Sequence, residues 1–302
     1  NFNNNDITIS YFCFYKNWYK SFLIIIFMKK DFFQQIRILD GGMGQELLAR
    51  GLDSHGTLWS AKALLEEKNH SLVESVHEDF VKAGAEVIVT NTFATRQNRL
   101  KENNLEDKFK ILNKNACKIA KKVKDKYPQI LIAGGLPPQN TTYSHDRRDE
   151  TEIFNNFKDQ AKILNPYVDF FYLDVLSSIR EISIAINSIE EFDKPFLIGA
   201  HISEGVTFPS GEKLSEITKR IKIKNLLGLI LACVSPENYK KNINEIKSIG
   251  FPFGFKINAF EKTKIKGGYK INYGKSKSGN PNEFLGKRDN EPAVPRGYSS
   301  IK

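Results

Sequence analysis

The chain has 302 residues, 40% of them hydrophobic and 26% charged, with a formal net charge of +10. That length supports one large domain or two medium ones, and the composition is that of a soluble globular protein. That charge could suggest a nucleic-acid partner, but the lysines are dispersed and no basic run is interleaved with aromatics; three cysteines are too few for a disulfide framework and place the chain in a reducing, cytoplasmic compartment.

The chain opens at Asn1 with an aromatic and apolar stretch, "YFCFYKNWYKSFLIIIF", followed by Met28. The apolar run 22–28 is too short for a membrane span, which needs about 20 residues, and no small-residue cleavage site follows it. Met28 therefore reads as the natural start. Residues 1–27 read as an upstream extension in which Cys13 has no role, and residues 28–302 as one barrel domain without a membrane partner.

From Ile36 onward, short apolar runs alternate with helical patterns. Strands are predicted at 36–39, 86–90, 130–133, 168–173, 196–200, 227–232 and 253–257. They are rich in Ile, Val, Leu and Phe without clean alternation, the pattern of parallel strands covered on both faces. Between them, "SLVESVHEDFVKAG" puts Leu72, Val73, Val76 and Phe80 on one helical face and stops at Gly84. The next helix aligns Leu105, Phe109, Leu112, Ala116, Ile119 and Val123, with Cys117 beside that stripe as a small core hydrophobe. "PENYKKNINEIKSIG" starts with Pro236 in a first-turn position and carries Tyr239, Ile243 and Ile246.

Strand–helix alternation of this kind gives an α/β fold with a parallel sheet. "DGGMG" after the first strand lacks dinucleotide-fingerprint spacing, which favours a (β/α)8 TIM barrel over a doubly wound sheet. Seven of the eight strands are found. After Lys262 the chain turns polar and Gly-rich, and no further strand–helix pair is predicted.

In such a barrel the chemistry sits at the C-terminal strand ends. These ends offer Asp40-Gly41-Gly42, Thr90-Asn91-Thr92, Gly134-Gly135, Asp174, His201, Cys233 and Asn258. Each residue alone is also an ordinary turn residue; together they mark a site without naming a reaction. His145 and His201 fall on mouth loops as candidate ligands. His55, His70 and His77 carry less weight, and His70 and His77 fit solvated or capping roles.

"ILDGGMGQELLARG", "LWSAKALLE" and "VHEDFVKAGAEVIVTNTFATRQNRL" resemble the homocysteine S-methyltransferase family, from about Ile36 to about Arg288 and most specifically over 38–100. The resemblance implies a (β/α)8 barrel that transfers a methyl group from a small-molecule donor to the thiol of homocysteine, giving methionine. It also implies Zn²⁺ held by three cysteines, one after strand six and two adjacent in a Gly-Gly-Cys-Cys motif after strand eight. Three thiolates would leave a fourth zinc position for the substrate sulfur. Cys233 in "LILACVSP" matches the first ligand. No cysteine follows it, and Gly267-Gly268 is followed by Tyr269 and Lys270. The zinc site is therefore expected to be incomplete, and the chain to be truncated or frameshifted before that motif.

The resemblance further gives Asp40 and Gly41 the amino acid end of homocysteine, with the Asp40 carboxylate on the ammonium and the amides of the Gly turn on the carboxylate. Thr92 matches a catalytic-pocket residue near the reacting sulfur. Asp174 stands where the family has a Glu that grips the substrate amine, one methylene longer. "GGLPPQNTTYSHD" departs from the family's turn after strand three, so betaine, S-methylmethionine, S-adenosylmethionine, a folate or another methyl donor all remain open. Two alternatives stand beside the methyltransferase: a nonfunctional fragment or zinc-free amino-acid-binding barrel, and a basic nucleic-acid binder.

Overall fold

A computed structural model describes residues 32–53, 57–202 and 205–257, and the backbone of 299–301. The expected extension 1–27, His55, Asn258 and Gly267-Gly268 lie outside the described residues.

Seven strands run in parallel and in sequence order around the barrel: β1 Arg37–Leu39, β2 Val87–Val89, β3 Leu131–Leu136, β4 Phe170–Leu176, β5 Phe196–Ala200, β6 Leu226–Val234 and β7 Phe253–Ile257. The expected parallel strands are thus present within a few residues of their predicted limits. An eighth, β8 Ser299–Ile301, closes the barrel between β7 and β1 and is antiparallel to both. Three residues of "GYSSIK" carry no periodicity that announces a strand.

The α-helices follow as α1 Met43–Ala49, α2 Lys62–Leu65, α3 His70–Lys82, α4 Gln97–Lys101, α5 Phe109–Lys126, α6 Glu150–Leu164, α7 Ile179–Ile189, α8 Ile217–Arg220 and α9 Pro236–Ser248. Three of them, α6, α7 and α9, start on side chains that satisfy otherwise unpaired backbone N–H groups. Asp149 accepts from Thr151 N and Glu152 N at the head of α6. Ser178 accepts from Glu181 N on α7. Ser235 accepts from Asn238 N on α9, where Pro236 takes the first turn as expected. Among the described residues, no helix is long and apolar enough to cross a membrane.

Alternation along β4 shows how the core divides. Phe170 and Tyr172 face the barrel interior with Leu39, Val87, Ala133, Leu197 and Ile230. Phe171 and Leu173 face outward into the layer formed with Val123, Phe157, Ile182 and Ile186. Phe33, just before β1, packs edge-on against Phe170 at 5.6 Å and fills the interior near the N-terminal strand ends. Cys117 is fully buried in the outer layer, as its position beside the α5 stripe predicts.

β4 and β6 run on past the polar residues that were expected to end them. Asp174 and Cys233 lie inside their strands, at places where register slips. The β4–β5 register shifts between Leu173 and Leu176, and Val175 has φ +64°. The β6–β7 register shifts between Ala232 and Val234, and Cys233 itself has φ +55°. A positive φ is an outlier for a β-branched residue such as Val175. Bulges of this kind re-aim side chains beside active sites.

Candidate functional site

Asp40 leaves β1 with its N–H bonded to Val87 O, and its Oδ2 accepts from Val89 N at 3.0 Å. The carboxylate thus ties β1 to β2 while sitting at the mouth. His77, on α3, brings Nδ1 to 3.4 Å from the same Oδ2. Burial pushes the Asp40 carboxyl above its usual value; His77, Val89 N–H and Lys256 pull it back part of the way. The expected solvated or capping role of His77 is corrected here: the side chain is fully buried, on the same helical face as Val73, Val76 and Phe80. His70 does sit at the head of α3, with Nε2 3.1 Å from Leu64 O.

Asp174, on the β4 bulge, meets Lys256 of β7, with Nζ 2.7 Å from Oδ2. The Asp174 side chain is 6% exposed and that of Lys256 is 29% exposed, so the lysine forms the open side of the pair. Asp174 Oδ1 is buried without a hydrogen-bond partner. Tyr172 lies beneath, with Lys256 Nζ 5.8 Å from its ring centroid. Burial and then the charge of Asp174 hold the Tyr172 hydroxyl well above its ordinary value. Burial works against the Lys256 ammonium, but the charges of Asp174, Cys233 and Asp40 outweigh it and keep its pKa above the ordinary value.

Cys233 closes the cluster. Burial raises its thiol pKa; Lys256 and a hydrogen bond with Tyr143 lower it, and Asp174 raises it further. Tyr143 belongs to the long connection after β3, and its ring lies 4.3 Å from that of His201. His201 Nδ1 is 3.0 Å from Ala232 O, and burial takes its pKa down to about 4, so the ring is neutral and donates from Nδ1. His201 follows β5 as expected, but it is fully buried rather than held on an open loop. The Tyr143 connection is pinned by Arg96, 1% exposed, which donates to Phe93 O, Asn140 O and Thr142 Oγ1.

Asp40, Asp174 and Cys233 therefore share one mouth, joined through the field of Lys256. Thr92 belongs to an adjoining network. Its hydroxyl donates to Gly135 O at 2.7 Å and lies 2.9 Å from Thr90 Oγ1, while Gly135 N donates to Thr90 Oγ1. A Cβ on Gly135 would stand 3.3 Å from Thr92 Oγ1, so the glycine permits this clasp between β2 and β3. Gly41 supplies its carbonyl to Met43 N at the start of α1. His145 places Nε2 in a buried position without a partner.

Lys256 and Tyr143 are the site residues that sequence reasoning passes over, and His77 is one it names only in a solvated or capping role. For a metal, the donor set is thin. Among the described residues no group of three His, Cys, Asp or Glu side chains could hold an ion. Cys233 is the thiol of this mouth, and its charged neighbours are Lys256 and Asp174. These residues do not fit a three-thiolate zinc centre.

Comparison with known proteins is consistent with this geometry. Residues 37–286 match the family model described as homocysteine S-methyltransferase. The S-methylmethionine–homocysteine S-methyltransferase of Rattus norvegicus is 31% identical over 165 residues, 54% of this chain and 42% of that protein. The homocysteine S-methyltransferase of Escherichia coli (strain K12) is 30% identical over 165 residues, covering 49% of this chain and 53% of its own. The match thus spans about half or less of these relatives. The crystal structure of the homocysteine methyltransferase MmuM from Escherichia coli, metallated form, superposes with TM-score 0.67 and 20% identity over 74% of this chain and 84% of that one; this establishes a shared fold. The family match covers all seven parallel strands and every mouth residue described above, and the chain belongs to the homocysteine S-methyltransferase family.

Proposed function

We propose that the mouth is a homocysteine site and that it serves transfer of a methyl group to the homocysteine thiol, giving methionine. The observation that carries this reading is the family match over 37–286, which contains Asp40, Asp174 and Cys233. In this reading Asp40 and Asp174 receive the substrate ammonium, and the amides of the Gly41 turn receive its carboxylate. The sulfur then lies on the Cys233 side. Thr92 acts through the β2–β3 clasp, holding the strand end that carries the pocket wall.

Transfer is an in-line displacement. The thiol first loses its proton to solvent, and the thiolate sulfur then forms the new S–C bond as the donor's C–N or C–S bond breaks and the electron pair leaves with the donor. A donor with a cationic nitrogen or sulfur becomes neutral in that step. The residues described here contribute orientation of the reacting sulfur and exclusion of water from it. The zinc implied by the family resemblance would activate the thiol, but among the described residues Cys233 has no second or third thiolate beside it to make a site for that ion.

That same thin donor set favours a second reading, an amino-acid-binding barrel without transfer. Calorimetric titration with L-homocysteine, followed by mass-spectrometric assay for methionine in the presence of S-methylmethionine, betaine or S-adenosylmethionine, separates the two. Binding with methionine formation supports the transferase. Binding alone supports the barrel that only binds. Absence of homocysteine binding overturns both.

A further inference from the structure

We infer that Lys256 is a specificity-determining residue that recognises the carboxylate of an α-amino acid ligand, acting with Asp174 as a paired reader of the zwitterionic head; this rests on the homocysteine reading above. Two observations carry it. Asp174 and Lys256 stand side by side at 2.7 Å, on two strands at the mouth. The pair is also unsaturated: Asp174 Oδ1 is buried without a hydrogen-bond partner, and an ammonium has three donors, of which Asp174 takes one.

An α-amino acid carries its ammonium and carboxylate on one carbon. An anion and a cation held side by side read such a head as alternating charges: the ligand ammonium on Asp174 Oδ1, the ligand carboxylate on Lys256 Nζ as well as on the amides of the Gly41 turn. The more exposed member, Lys256, faces the open side from which a ligand enters.

The arrangement also discriminates. An amine that lacks the carboxylate would set its ammonium on Asp174 beside Lys256 with no anion of its own to offset the second cation, and like charges in a partly buried site repel. A carboxylate that lacks the amine would leave Asp174 Oδ1 unmatched. Lys256 thus selects the amino acid over its decarboxylated counterpart, a distinction that neither Asp40 nor Asp174 can make alone.

The test is calorimetric titration of the full chain with L-homocysteine and with 3-mercaptopropylamine, its decarboxylated analogue. The wild type should bind homocysteine at least tenfold more tightly. Lys256→Met should weaken homocysteine at least tenfold and lower the ratio of the two ligands at least fivefold, while Lys256→Arg should keep most of it. Circular dichroism and the melting temperature establish that each variant is folded. A Lys256→Met protein with the wild-type ratio overturns the role of Lys256 and leaves the homocysteine reading standing. Should that variant not fold, the wild type decides: equal affinity for the two ligands overturns the proposal. A wild type that binds neither ligand overturns the homocysteine reading along with it.

Discussion

His77 Nδ1 stands 3.4 Å from Asp40 Oδ2, and both side chains are closed off from solvent. The histidine comes from a helix outside the barrel and the aspartate from the end of β1, so the pair fixes α3 to the mouth. His77→Ala opens a cavity and removes a group that restrains the Asp40 carboxyl. It should lower stability by about 2–4 kcal/mol, as large-to-small changes in cores do. Urea denaturation measures this. A loss within about 0.5 kcal/mol, the range of an ordinary surface substitution, would show that the contact is incidental.

Glu181 gives a pH signature. It is fully buried on α7, with Oε2 accepting from Ser177 N, and burial pushes its carboxyl from 4.5 up to about 8. The folded chain therefore holds a proton that the unfolded chain releases near 4.5. Its contribution to stability is complete below that value and is lost as pH rises toward 8, at a limiting slope of about 1.4 kcal/mol per pH unit. Glu181→Gln keeps an acceptor for Ser177 N without the charge. It should be more stable than wild type at pH 8 and should flatten the pH dependence of urea midpoints between 5 and 8. Parallel curves for the two proteins would contradict the assignment.

Gly228 of β6 tests backbone packing. A Cβ there would lie 2.6 Å from Pro252 O, a rigid backbone atom just before β7. Gly228→Ala must push the two strands apart and should cost about 1–3 kcal/mol. Because the displaced strand carries Lys256, homocysteine binding should weaken as well. Thermal melts and titration together check this; an unchanged melting temperature would mean that the β6–β7 crossing yields without strain.

The described cysteines should differ in reactivity. Cys117 is fully buried in the outer core, with its thiol pushed up to about 12 by burial, so the reactive thiolate is scarce and enclosed. Burial raises the Cys233 thiol as well, but Cys233 borders the mouth and has Lys256 beside it to favour the thiolate. Iodoacetamide at neutral pH, read by peptide mass spectrometry, should label Cys233 well ahead of Cys117. Prior homocysteine should slow the labelling of Cys233. Equal rates at both would place Cys117 in an opening that the fold does not provide.

The sequence is most legible where apolar burial and chain order act together. The runs at β2, β5 and β7 announce themselves through Ile, Val and Phe, and the order of parallel strands follows from the alternation with helices. It is least legible where a residue breaks a local rule. Asp174 and Cys233 look like strand terminators because polar residues usually end apolar runs, yet each strand continues through a bulge that no propensity predicts. Lys256 looks like a solvated lysine in "FGFKI", because its partner Asp174 is 82 residues away. His77 was readable: it falls four residues after Val73 and three before Phe80, on the stripe already assigned to the core.

The closing strand β8 has a consequence for how the barrel comes apart. Neighbouring parallel strands are joined through short stretches of chain; Ala133 and Phe170, paired across β3 and β4, are 37 positions apart (170 − 133). Arg37 and Ile301, paired across β1 and β8, are 264 apart (301 − 37). In chain-entropy terms that seam costs roughly 1.7 kcal/mol more to close; three residue pairs hold it, and one pair holds β1 to β2 on its other side. Pairings of such separation form late in folding, and the weakest cooperative unit opens first. Amide hydrogens of Arg37, Ile38 and Leu39 should then exchange ahead of those in β4–β6, so that the barrel unrolls from its first strand while the wall carrying Asp174 and Cys233 stays intact.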